Sequence, residues 1–126
     1  MQGVRGAILV AGGSAARRRI VIQAIRESNC GDHEFLESDG DGDLLRQLAE
    51  APSTRLVFLD WNRNGAATLR AIRADPVTRG IPVIVTTREA ERAGLVEAIQ
   101  AGATNWLVEP FDRRTIQEKV EAALEG

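Results

Sequence analysis

Apolar positions along this chain fall into short unbroken runs separated by amphipathic stretches, and the two kinds alternate from end to end. The first run, Ala7-Ile8-Leu9-Val10-Ala11, is apolar throughout, as a strand covered on both faces should be. Residues 15–28 then read as a helix, with Ile20, Ala24 and Ile25 on one side and Arg17, Arg18 and Arg26 turned to water. Phe35-Leu36-Glu37-Ser38 is a weaker, edge-like strand, and Asp43 offers an N-cap for a helix carrying Leu44, Leu45 and Leu48. Pro52-Ser53-Thr54 breaks the chain ahead of the strand Leu56-Val57-Phe58-Leu59-Asp60. A helix over 64–74 places Leu69 and Ile72 inward and stops near Pro76. Strand 82–87 leads to a helix over 89–101 with Leu95, Ala98 and Ile99 inward, closed by Gly102, since glycine tolerates positive φ. After strand 104–108, Asp112 caps a last helix in which Ile116, Val120, Ala123 and Leu124 recur at helical spacing.

Five strand–helix units in alternation predict an α/β fold, a single doubly wound five-stranded parallel sheet with five helices, as one domain over residues 1–126. In such a sheet the carboxyl ends of the strands line the ligand crevice, so the residues at those ends decide the chemistry. Here they are Gly12-Gly13, Asp60, Thr87 and Glu109.

The chain resembles the receiver domain of two-component response regulators, of the small chemotaxis-regulator type, over nearly its whole length. The resemblance is carried by Ile8-Leu9-Val10 with Ser14 and Arg18-Arg19-Ile20-Val21, by Leu59-Asp60-Trp61-Asn62 with Gly65, and by Ile72-Arg73-Ala74-Asp75. It continues through Ile81-Pro82-Val83-Ile84-Val85-Thr86-Thr87, Ala98-Ile99-Gln100-Ala101-Gly102-Ala103 and Val108-Glu109-Pro110-Phe111. It implies strand order 2-1-3-4-5 and a phosphoryl transfer from a histidine kinase to an aspartate ending the third strand. It also implies an acidic pair that helps hold magnesium, a hydroxyl after the fourth strand, and a lysine after the fifth. Asp60 matches the phosphoacceptor and Thr87 the hydroxyl.

Two positions depart from that pattern. The acidic pair falls on Gly12 and Gly13, and the lysine falls on Glu109; the loop Trp61-Asn62-Arg63-Asn64-Gly65 is also shorter than the family's and lacks its proline. Magnesium takes octahedral oxygen ligands, and an anionic donor approaching a carboxylate needs a cation to offset the charge. The expectation is therefore a pseudo-receiver without metal, cofactor or enzymatic activity, in which magnesium-dependent phosphorylation of Asp60 is lost. Arg88 and Arg63 are the candidates to pair with Asp60 or Glu109 in place of the ion; the alternative is that both face solvent. Two further functions stay open: a phosphoacceptor still using Asp60, and a small-anion or nucleotide binder at Gly12-Gly13 through backbone N–H groups.

Trp106 stands where receivers carry a switching aromatic, and is expected as an anchor for a protein partner or an attached output or kinase domain, together with the last two helices and fifth strand. Homodimerisation is also open. Asp39-Gly40-Asp41-Gly42-Asp43 with Glu50 has the acidic spacing of a calcium loop, but Leu44 stands where glycine is needed, so a solvated turn is expected. His33, the one histidine, falls in a polar turn and is expected at the surface. It excludes a Ser–His or Cys–His nucleophile.

Composition adds limits. The 126 residues are 44% hydrophobic and 27% charged with net charge −2, which argues against a nucleic-acid footprint. Of sixteen basic residues only Lys119 is lysine, and it lies too far along the last helix to replace the missing cation. No apolar run is long enough to span a membrane, no leader precedes the first strand, and Cys30 has no disulfide partner; a cytoplasmic domain is expected.

Overall fold

The computed structural model describes residues 6–51, 53–88 and 93–125. Five strands, β1 (Ala7–Ala11), β2 (Glu34–Ser38), β3 (Thr54–Asp60), β4 (Val83–Arg88) and β5 (Asn105–Glu109), alternate with five helices. The helices are α1 (Ala15–Arg26), α2 (Asp41–Glu50), α3 (Gly65–Ala74), α4 (Gly94–Ala101) and α5 (Arg113–Glu125). The strands pair in parallel in the order β2-β1-β3-β4-β5, as the resemblance implied. Pro52 and the predicted onset of the fourth helix at 89 lie outside the described residues.

Successive strand residues point to opposite faces, so each apolar run feeds two cores. Leu9, Val57, Leu59 and Val85 face Leu44 and Leu48 of α2, Leu69 and Ile72 of α3, and Leu95 and Ala98 of α4. Ile8, Val10, Phe58, Ile84 and Leu107 face Val21, Ile22 and Ile25 of α1 and Ile116 and Val120 of α5. This parity also fixes where the strand ends point. Asp60 continues the Phe58 row, Thr86 the Ile84 row and Glu109 the Leu107 row, all toward α1 and α5.

Several sequence expectations are corrected. Ile20 is 59% exposed and Ile99 46% exposed; Ala24, Ile25, Leu95 and Ala98 are buried as predicted, but Val21, Ile22 and Ala101 complete the two faces, which are slightly rotated from those expected. Arg18 is buried within a set of acceptors instead of facing water. Asp43 lies inside α2, whose N-cap is Gly40, and its carboxylate pairs with Arg46 and Gln47. His33 is only 5% exposed: its Nδ1 bonds the Cys30 carbonyl at 2.9 Å and its Nε2 faces the Arg55 guanidinium at 3.3 Å.

Arg73 ties the far end of the sheet together. It donates to the carbonyls of Gly102 (3.0 Å), Arg79 (2.9 Å) and Ile81 (2.7 Å) and to Thr104 Oγ1 (3.2 Å). Burial pushes its pKa down from the usual arginine value. Arg73→Ala leaves those acceptors without a charged donor, and we expect a loss of about 2 kcal/mol in urea unfolding. A loss under about 0.5 kcal/mol would mean that water replaces the guanidinium there. At the start of α5, Asp112 Oδ1 accepts from the Thr115 backbone N–H and hydroxyl, both at 2.8 Å, as the sequence predicted. These bonds hold its carboxyl below the ordinary value of 3.8. A depressed folded pKa gives stability that is complete above the unfolded value and disappears as pH falls through the folded one. In acid titration, the stability gap between wild type and Asp112→Asn should therefore stay constant above about pH 4 and close below it.

Candidate functional site

The crevice is built around the turn that joins β1 to α1. Gly12 and Gly13 have φ of +82° and +67°, the left-handed region that glycine enters without strain. They also lie close under Asp60. A Cβ on Gly13 would stand 3.1 Å from Asp60 Oδ2, and one on Gly12 would stand 3.3 Å from Asp60 Cβ. A side chain at either position is thus opposed by conformation and by space together.

Arg18 holds this turn in place. Its guanidinium donates to the carbonyls of Gly12 (3.3 Å) and Gly13 (2.9 Å), to Glu37 (2.9 Å) and to Asp39 (3.0 Å). The Gly12 N–H meanwhile bonds the Ser38 carbonyl at 2.8 Å, so this donor of the proposed anion cradle is already engaged. Asp39 and Asp43 both pair with arginines, and from Asp41 onward the acidic run is the first turn of α2.

Ser14 Oγ accepts the Arg17 N–H at 3.1 Å and starts α1 there. Arg17 consequently sits in the first helical turn, directed over the strand ends. One of its guanidinium nitrogens lies 2.9 Å from Asp60 Oδ1 and the other 3.2 Å from Glu109 Oε1. The three side chains are 24%, 23% and 32% exposed. A cation in a first helical turn opposes the helix dipole, and that turn carries no acidic residue of its own. The two carboxylates supply the compensation from β3 and β5. The Thr86 hydroxyl donates to Asp60 Oδ1 at 3.0 Å, giving that oxygen two donors. Beneath the group is a cavity of about 20 Å³, lined by Val10, Phe58, Thr86 and Phe111 among others.

The strand ends therefore converge as expected for Gly12, Gly13, Asp60 and Glu109, with two corrections. The hydroxyl on Asp60 belongs to Thr86, not Thr87. Asp60 is in register with Thr86, and Thr87 points to the opposite face, where its hydroxyl lies 3.5 Å from the Arg88 carbonyl. The arginine between the carboxylates is Arg17, not Arg88 or Arg63, neither of which forms an ion pair with them among the described residues. Arg88 lies beside Glu109 on the adjoining strand and borders an outer groove with Ile20, Pro110 and Phe111. The sequence held a signal for Arg17: a serine cap at position 14 puts residue 17 in the first turn, facing the loop.

Both tryptophans lie away from the Asp60 carboxylate. The Trp61 ring packs over the starts of α3 and α4, where a Cβ on Gly65 would come within 2.5 Å of it and one on Gly94 within 2.8 Å. Trp106 is 40% exposed, with Lys119 Nζ 5.3 Å above its ring and 2.8 Å from Asn105 Oδ1. Val96 and Ile99 of α4 are exposed as well.

Residues 8–121 match the response regulator receiver domain family. The chain is 31% identical over 120 residues to chemotaxis protein CheY1 of Helicobacter pylori, covering 93% of this chain and 95% of the relative. It is 32% identical over 121 residues to chemotaxis protein CheY of Pseudomonas aeruginosa, covering 94% and 95%. Among solved structures, the receiver domain of NtrX from Brucella abortus superposes with a TM-score of 0.81 at 26% identity, over 94% of this chain and 98% of that one. In fold, strand order and sequence alike, the chain belongs to the response regulator receiver domains, signalling modules of two-component systems that interact with kinases and output domains.

Proposed function

We propose that this receiver domain signals through protein–protein contacts without magnesium-dependent phosphorylation of Asp60. The observation that carries this reading is the Arg17 guanidinium held between Asp60 and Glu109. A divalent ion beside Asp60 needs several oxygen ligands in octahedral array. The positions that would supply acidic ligands are Gly12 and Gly13, whose left-handed backbone resists any side chain. The carboxylates that remain already share a cation, and the cavity below them has room for about one water. The donor set does not fit the ion.

Phosphoryl transfer also needs positive charge around the transferred group. Glu109 puts a negative charge there. A phosphoryl group on Asp60 would have to displace Arg17 from one carboxylate while approaching the other. Like charges a few ångströms apart repel by about 4 kcal/mol even at an effective dielectric near 20.

The output surface in this reading is β5 with α4 and α5. Trp106, Val96 and Ile99 give it exposed apolar area, and Lys119 holds the Trp106 ring in place. Aromatic anchors of this kind dominate many protein interfaces. No helix among the described residues is long and apolar enough to cross a membrane, in keeping with action in the cytoplasm. One observation favours the phosphoacceptor alternative: Asp60 keeps 23% exposure and a hydroxyl neighbour.

Incubation with a small phosphoryl donor and magnesium, followed by intact-mass analysis, separates the two. Wild type should gain no more label than Asp60→Asn. Magnesium-dependent labelling of wild type that Asp60→Asn abolishes would refute the proposed function and establish the phosphoacceptor.

A further inference from the structure

Asp60 Oδ1 and Glu109 Oε1 approach two nitrogens of a single guanidinium, at 2.9 and 3.2 Å. Those nitrogens share one carbon, so the two carboxylates converge on one small cation delivered from α1. The Thr86 hydroxyl adds a third oxygen at the same place, 3.0 Å from Asp60 Oδ1. Without the guanidinium, two carboxylates and a hydroxyl would face one another across a partly buried crevice. Such a set of hard oxygens attracts a divalent cation, although it is too small to complete an octahedral shell. Its charge, now −2 against +1, would stand unbalanced.

The backbone that carries Arg17 is fixed. Its N–H is capped by Ser14, and the neighbouring Arg18 pins the Gly12-Gly13 turn to the end of β2. We infer that Arg17 is the ion-specificity residue of this crevice: a tethered cation that occupies the place of a divalent ion and excludes it. The lost acidic pair is then only part of the reason that no ion is needed. Glu109, which replaces a cationic family position, becomes the second carboxylate of the guanidinium's cradle. This inference rests on the metal-independent function proposed above, but their failures are distinguishable.

The test compares wild type, Arg17→Gln, Arg17→Lys and the double variant Arg17→Gln/Asp60→Asn. Each is titrated with MnCl₂ and MgCl₂ at constant ionic strength by calorimetry and thermal melting. Removing a unit charge from beside two carboxylates should tighten Mn²⁺ binding at least roughly tenfold in Arg17→Gln. Its melting temperature should rise with added Mn²⁺. Arg17→Lys keeps the charge and should behave as wild type, and the double variant should lose the gain. A purely structural role for Arg17 would destabilise the variants without making either one ion-responsive. An Arg17→Gln protein that is folded by circular dichroism yet binds Mn²⁺ no better than wild type overturns the inference. So does an Arg17→Lys protein that gains as much as Arg17→Gln. Should Arg17→Gln not fold, Arg17→Met keeps the apolar stem and is judged by the same criterion. Magnesium bound by wild type through Asp60 would overturn both readings, whereas a folded Arg17→Gln that gains nothing overturns only this one.

Discussion

A partly buried carboxylate at the end of a central strand must be given a positive charge or a proton, and here a guanidinium supplies it. Around Asp60 most of the local structure follows from that requirement. Arg17 reaches Asp60 and Glu109 because α1 begins at Ser14, and α1 can begin there because Gly12 and Gly13 turn through a left-handed backbone. The turn in turn stays close to Asp60 because Arg18 draws its carbonyls toward Glu37 and Asp39. Two adjacent arginines thus divide the work. One brings positive charge to the crevice and the other fixes the turn.

The same constraint ties elements that are far apart in sequence. Asp60 ends β3 and Glu109 ends β5, with β4 between them, so the guanidinium spans three neighbouring strands from one helix terminus. Bridged pairs with this little exposure are screened less by water and salt than surface pairs are. At its other end β5 begins beside Lys119, which bonds Asn105 and covers Trp106. The strand bearing the exposed aromatic is therefore held at both ends by a cation, Arg17 at one and Lys119 at the other. Charge in the crevice and the shape of the outer surface meet on this one strand.

Membership of the receiver family accounts for the sheet, the helices and the placing of Asp60, yet the fold alone does not decide what the crevice does. That depends on side chains at strand ends, which can change without disturbing the two cores. Gly12, Gly13 and Glu109 belong to neither of the two apolar cores. A fold can keep its signalling surfaces while the chemistry of its crevice is rebuilt.

How much of this was legible in the chain follows from what is local and what is not. Unbroken apolar runs, Gly102 and the Asp112 cap are local signals, and they specified the five strand–helix units and the strand ends at Gly12, Asp60 and Glu109. The edge residues Ile20 and Ile99 were misplaced because a helix rotation of a fraction of a turn moves a residue from core to solvent, and only packing against the sheet sets that rotation. His33 looked exposed because part of its cover, Arg55, comes from 22 residues along the chain, beyond the Cys30 and Asp32 of its own turn. Thr86 and Thr87 are chemically equal along the chain. Which one meets Asp60 depends on register between β3 and β4, since adjacent strand residues point to opposite faces. The sequence by itself thus determined that a cation was missing at the strand ends; tertiary structure decided that Arg17 provides it, because the reach of a side chain is set by where its helix starts and which way that helix is packed.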